Sequence, residues 1–412
     1  MPTVARLTDG PLARRFRMGA GLLAVIAVAW LAWQQVQVDA EVGAPKGPDR
    51  RVASARGLAN DAHALTSVAR ETLAERPIDG GAFRMLGLAA ALQSNPDRAG
   101  ELYRIAARLD PRDDIAQAML IDASFEKGAV GEGVTHVDAL LRIAPHMRES
   151  LLASLVPYVG NPQLLDALVK ALAADPPWRG SLAPVLRHAD ATQTETLLAA
   201  LTQAVPLTAP ELAARVEALT ALGEPARARE IWLQSLPAAD RALDGLLFDP
   251  GFEGIDKTDG FGWRWNEEPG VTIAFDAIDP AQGQQSLQVD FSGRAVRFVG
   301  PRQRLVLAPG SYEISSAVDD RTGSPRRFAW FVQCNSGPAL IELDLPANSD
   351  GHWKTVRADF DVPPDCQGQQ LTLRHTGRSM AERQISGVLR VDDVQLRKLP
   401  NRVTLPNPSH AE

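Results

Sequence analysis

Five large aromatic side chains, Trp263, Trp265, Trp330, Phe331 and Trp353, are the residues of the C-terminal half best suited to holding a ligand. An aromatic face can stack on the C–H face of a sugar while polar neighbours take its hydroxyls; the same ring can equally fill a core. Trp265 stands beside Asn266, Glu267 and Glu268, a polar stretch that suits an exposed ring. Trp330 and Phe331 are adjacent, so on a strand they point to opposite faces and only one can be core. The two cysteines, Cys334 and Cys366, share the C-terminal third, where they can form one disulfide or stay as two buried thiols.

Residue patterns for covalent or metal chemistry are absent from the sequence. It has no Gly-x-Ser-x-Gly elbow, no His-Glu-x-x-His helix, no phosphate loop and no dinucleotide fingerprint. The seven histidines are scattered without metal spacing. Glu267 and Glu268 are neighbouring carboxylates, but adjacency does not supply the separation that hydrolysis of a glycosidic bond needs. A net charge of -7, with no block of Lys or Arg beyond the N-terminus, gives no support to a nucleic-acid partner. The chemistry points to binding, without catalysis.

The segments that would position these residues alternate with period two. Leu287, Val289 and Phe291 share a face, as do Phe328, Trp330, Val332 and Cys334, and again Val356, Ala358, Phe360 and Val362. Leu371 with Leu373 and Leu389 with Val391 extend the set, and Pro309-Gly310 marks a turn, so an all-β sandwich is predicted over 247–399. Residues 51–246 are instead rich in Ala and Leu at helical spacing, with breaks at Pro or Gly.

Within the helical half, Pro77, Pro111 and Pro145 are spaced by 34 residues. The stretch from Gly80 to Asp113 resembles a tetratricopeptide repeat: Phe83, Leu86, Gly87 and Ala90 fall at packing positions of a first helix, Ala99, Tyr103 and Ala106 at those of a second, and Pro111 closes the unit. The next unit, from Asp114, keeps the period with Ile121 where a small residue is expected; the rest matches more loosely. The resemblance implies an α-solenoid whose concave surface binds a protein partner.

The C-terminal half resembles the carbohydrate-binding jelly rolls found beside glycoside hydrolases. The resemblance rests on Phe248-Asp249-Pro250-Gly251-Phe252-Glu253, Gly262-Trp263, Gly283 before Ser286-Leu287-Gln288-Val289, the step from Leu307 to Tyr312, and the closing Val391-Asp392-Asp393-Val394. It implies a β-sandwich that can hold a polysaccharide on the five aromatics. It also implies a structural calcium between Glu253 and Asp392, the bland alternative being that both carboxylates serve turns and hydrogen bonds.

At the N-terminus, basic residues 1–17 precede an apolar run, 18–38, long enough to cross a membrane or to serve as a signal peptide, and a Gly/Pro linker follows at 39–50. The positive-inside rule puts the N-terminus in the cytoplasm and the body outside it, in a bacterial-type inner membrane. The tail, 400–412, is polar and expected to be disordered. Together these features describe a multidomain α plus all-β envelope scaffold, by analogy one serving exopolysaccharide assembly or export. A purely structural scaffold and a polysaccharide-processing enzyme are the alternatives.

Overall fold

The computed structural model describes residues 61–254 and 260–400, apart from 336, 348 and 350. The apolar run 18–38, the linker and the tail beyond residue 400 lie outside the described residues; among the described residues no helix is long and apolar enough to cross a membrane. The chain divides into two compact units between Ala214 and Arg215.

The first unit is helical: α1 (Ala62–Glu75), α2 (Gly80–Leu92), α3 (Pro96–Leu109), α4 (Asp114–Glu126), α5 (Val130–Ile143), α6 (Arg148–Leu155), α7 (Pro162–Ala173), α8 (Leu182–Leu186) and α9 (Ala191–Ala204). Acidic and amide caps set the starts. Asp61, Asp79, Asn95, Asp113, Asn161 and Asp190 each accept a hydrogen bond from a first-turn amide, worth about 1 kcal/mol apiece. Asn95 does so just ahead of Pro96, whose missing N–H costs nothing at the first helical position. Small residues then let helices approach. A Cβ at Gly87 would lie 2.6 Å from the Tyr103 ring, and one at Gly133 would lie 2.9 Å from Phe125. Ala90, Ala99 and Ala106 are buried between the helices, with Phe83 and Leu86 half-buried beside them. This packing is consistent with a helical repeat domain.

Helix α10 (Ala209–Ala221) runs across the division, and the second unit holds α11 (Pro225–Ser235), α12 (Ala238–Arg241) and nine strands. These are β1 (Val271–Asp276), β2 (Ser286–Ala295), β3 (Val299–Leu305), β4 (Gly310–Arg321), β5 (Phe328–Cys334), β6 (Ala339–Asp344), β7 (Lys354–Val362), β8 (Gln369–His375) and β9 (Gln384–Lys398). They form an antiparallel sandwich with one sheet ordered β1-β2-β9-β4-β7 and the other β3-β8-β5-β6. Leu287, Val289 and Phe291 of one sheet meet Trp330, Val332 and Leu373 of the other in one core. Cys334 and Cys366 are joined in a disulfide with Cα atoms 5.5 Å apart.

The secondary structure changes near residue 247, but the compact unit starts earlier. Trp232 of α11 packs on Phe248 and Phe261, ring centroids 4.9 and 5.9 Å away, and a Cβ at Gly260 would lie only 2.4 Å from its indole. Glu217 of α10 pairs with Arg304 at 2.5 Å and Arg264 at 3.5 Å. The sandwich unit therefore takes in a helical segment that composition alone groups with the repeats.

Candidate functional site

Because side chains alternate along a strand, each sheet presents a core face and an outer face. On the five-stranded sheet the outer face carries Ala274, Gln288, Arg390 and Asp319 in one cross-strand row, fixed by the pairings Ala274–Gln288, Gln288–Arg390 and Arg390–Asp319. A second row is Thr272, Asp290, Val388 and Arg321. Trp353, immediately before β7, closes the first row: its ring lies 5.0 Å from the Arg390 guanidinium and its N–H donates to the Asp279 carbonyl at 3.0 Å. The result is a polar sheet face with an aromatic ring at one end.

The centre of that face is costly for the fold. Asp319 is 0 % and Arg390 4 % exposed. Arg321 donates through Nε at 2.8 Å and Nη2 at 2.6 Å to one Asp319 oxygen, Oδ2, while Arg390 approaches the same oxygen at 3.9 Å. Asp319 Oδ1 and Arg390 Nε are closed to solvent with no hydrogen-bond partner among the described residues. An orphaned buried polar atom costs about 1–3 kcal/mol unless a water, an ion or a ligand meets it. Gln288, bonded to Asp290 at 3.0 Å, adds an amide beside this pair.

The loop from Ile278 to Gln285 borders the face and is held by charged side chains. Arg390 donates to the carbonyls of Ile278 and Asp279, the latter at 2.8 Å. Asp392 accepts from the amides of Ala281 and Gln282 at 2.8 and 2.9 Å, and Glu253 from Gln284 at 2.6 Å and Gln285 at 3.3 Å. Burial pushes the Asp392 carboxyl up, against the downward pull of those amides. Glu253 and Asp392, named as calcium ligands by resemblance, thus face N–H donors, and the nearby carbonyls of Ile278 and Asp279 already face a guanidinium. Among the described residues no three His, Cys, Asp or Glu side chains converge on a point. This donor set does not fit a calcium shell, which needs six or more oxygens.

The aromatic candidates separate cleanly. Trp263 is 2 % exposed, sits 5.0 Å from Phe252 and 5.8 Å from Trp330, and donates to the Asp249 carbonyl. Trp330 is 0 % exposed. Both are core, so as sugar contacts they are corrected to packing residues. Trp265 is half-buried with its edge to Phe275 at 6.0 Å. Phe331 points out of the four-stranded sheet, and only Trp353 lies on the polar face of the five-stranded one. Sequence reasoning missed Arg390, Asp319, Arg321, Gln288 and Asp290. The alternation that put Leu287, Val289, Leu389 and Val391 inside already implied Gln288, Asp290 and Arg390 outside. Nothing in the sequence announced that Asp319 would stand beside Arg390.

No family model matches the sequence, and no protein of curated function does either. Among solved structures, the chain is similar to the CBM22-1 xylan-binding domain from Paenibacillus barcinonensis Xyn10C, at 23% identity over 36% of this chain and 90% of that one, with a TM-score of 0.26. It is also similar to TmCBM61 in complex with beta-1,4-galactotriose, at 16% identity over 38% and 99% of the two chains, TM-score 0.29. A family 16 carbohydrate-binding module gives 10% identity, 38% and 99% coverage, and 0.27. The C-terminal region resembles carbohydrate-binding jelly rolls. That likeness concerns the fold of the sandwich alone.

Proposed function

We propose that this protein is a non-catalytic envelope scaffold whose sandwich binds polysaccharide on the outer face of the five-stranded sheet. The observation that carries this reading is the row Gln288–Arg390–Asp319 ending at Trp353, with two buried polar atoms left without partners. Sugar hydroxyls both donate and accept, so they suit the groups of this face that reach solvent, the Arg321 guanidinium and the Gln288 and Asp290 side chains, which the buried Asp319 and Arg390 hold in place. Trp353 supplies the apolar surface for a sugar C–H face. In the same reading the helical unit acts as a tetratricopeptide-like array holding an envelope protein, and residues 18–38 anchor the chain with its body outside the cytoplasm. A role in exopolysaccharide assembly or export follows from that combination.

The test is electrophoresis of the full chain through gels cast with a panel of neutral and acidic polysaccharides. At least one polymer should retard the native protein, and Trp353→Ala should weaken that retardation about tenfold, the loss of roughly 1.4 kcal/mol of stacking. Absence of retardation on every polymer, by a protein that melts cooperatively, would leave the sandwich as a surface for a protein partner. Release of reducing ends would instead make it an enzyme.

A further inference from the structure

Beyond the N-terminus the sequence has no basic block, yet the fold builds one. The outer face of the four-stranded sheet brings together Arg302 and Arg304 on β3 and Arg374 on β8, with Arg264 paired to Arg302 from the preceding segment. Register sets the arrangement. Arg302, Thr372, Phe331 and Glu342 form one row across all four strands, and Arg374 stands opposite Ala329, diagonal to Phe331. At a strand spacing of about 4.8 Å the row spans roughly 14 Å.

The guanidinia on this face are unequally satisfied. Glu217 takes Arg304 and Arg264. Arg302 donates to the Asn266 side chain at 3.1 Å, a neutral acceptor. Arg374 has no carboxylate partner among the described residues; it lies 5.1 Å from the centre of the Phe331 ring, and its Nε is closed to solvent without an acceptor. Nη1 of Arg304 is in the same condition. Arg302, Arg304, Arg264 and Arg374 share this face with Glu217 and Glu342, while Asp344, in the Arg374 row, is paired with Arg327 at 3.1 Å. The Phe331 ring supports the Arg374 guanidinium from the side, and a guanidinium is a planar group whose N–H donors match the two oxygens of a carboxylate.

We propose that this face binds the carboxylate groups of an acidic polysaccharide, with Arg374 as the fork that engages a uronate and Arg302 as its neighbour along the chain. The inference rests on the reading of the sandwich as a polysaccharide binder, and it uses a different sheet from the Trp353 row. A nucleic acid is the less fitting polyanion: it would recruit several unpaired cations along a phosphate backbone, and here Arg264 and Arg304 are already tied to the shared Glu217 carboxylate. Phe331 is half-buried with the Arg374 guanidinium 5.1 Å from its ring centre, so it is not an open stacking platform for a base.

Gels cast with polygalacturonate or with its fully methyl-esterified form test this, since esterification removes the charge and keeps the chain. The full-length protein should be retarded at least tenfold more strongly by the acid form. Arg374→Gln should abolish that preference, Arg374→Lys should restore only part of it, and Trp353→Ala should leave it in place. Thermal melts of the variants within about 2 °C of the parent would establish that the fold is intact. Equal retardation by acid and ester overturns the proposal, as does a preference that survives Arg374→Gln. Tighter, Arg374-dependent binding of a single-stranded oligonucleotide would make the face a nucleic-acid surface and overturn it too. If the preference holds while Trp353→Ala changes nothing on any polymer, the Trp353 reading falls and this one stands.

Discussion

Asp122 on α4 shows how a single carboxyl can set the pH response of the helical unit. Burial first, and the charge of Glu126 second, push its pKa up to about 6, and its Oδ1 has no hydrogen-bond partner among the described residues. A folded value above the unfolded one of about 3.9 means that folding favours the protonated form. The contribution is fully present below about pH 4 and is lost as pH rises through about 6. Replacing the group by a neutral isostere removes that loss, so Asp122→Asn should stabilise the helical unit by roughly 1–2 kcal/mol at pH 7.5, allowing for solvent screening, and by nothing at pH 4. Thermal melts at the two pH values check this; equal stability at pH 7.5 would mean the carboxylate is compensated. The tryptophans make a parallel contrast. Trp263→Ala empties the core and should cost about 3–5 kcal/mol, whereas the stability cost of Trp353→Ala should be about 1 kcal/mol, because that ring holds one carbonyl and one cation.

At the scale of elements, the loop from Ile278 to Gln285 and the helix α11 each make a prediction. Gly283 sits at φ +70° with Glu253 so close that a Cβ would lie 1.9 Å from its Oε1. Gly283→Ala should therefore cost about 1–3 kcal/mol and loosen the loop on which Trp353 rests. Since amides and Arg390 occupy the carboxylates and carbonyls there, millimolar calcium should shift the melting temperature by less than about 1 °C; a rise of several degrees would reveal a cation shell and reverse that reading. A fragment starting at residue 247 lacks Trp232 and exposes Phe248 and Phe261, so it should melt lower and aggregate more readily than one starting at Arg215. These elements also show what the sequence could convey. Strand alternation and the Pro309-Gly310 turn are local, and each was legible. The grouping of Trp232 with the sandwich and the meeting of Asp319 with Arg390 depend on pairings between segments far apart in sequence. No local pattern encodes them.

For the molecule as a whole, the disulfide links stability to compartment. Cys334 and Cys366 are 32 residues apart, and closing a loop of that length in the unfolded chain is worth about 3–4 kcal/mol. The bond lies on the edge of the core, where both cysteines are buried, so it acts on the sandwich and not on the helical unit. Two compact units should give two melting transitions. A reductant should lower only the sandwich transition, by about 10 °C for a unit of this size. A protein that relies on such a bond suits an oxidising compartment, which the N-terminal run 18–38 would reach by anchoring or export. Deleting that run should leave the chain in the cytoplasm with both thiols free, whereas the full chain should resist alkylation until it is reduced. The difference is read as a mass shift after labelling intact cells. Free thiols in the full chain would instead place its body in a reducing compartment and overturn the export reading.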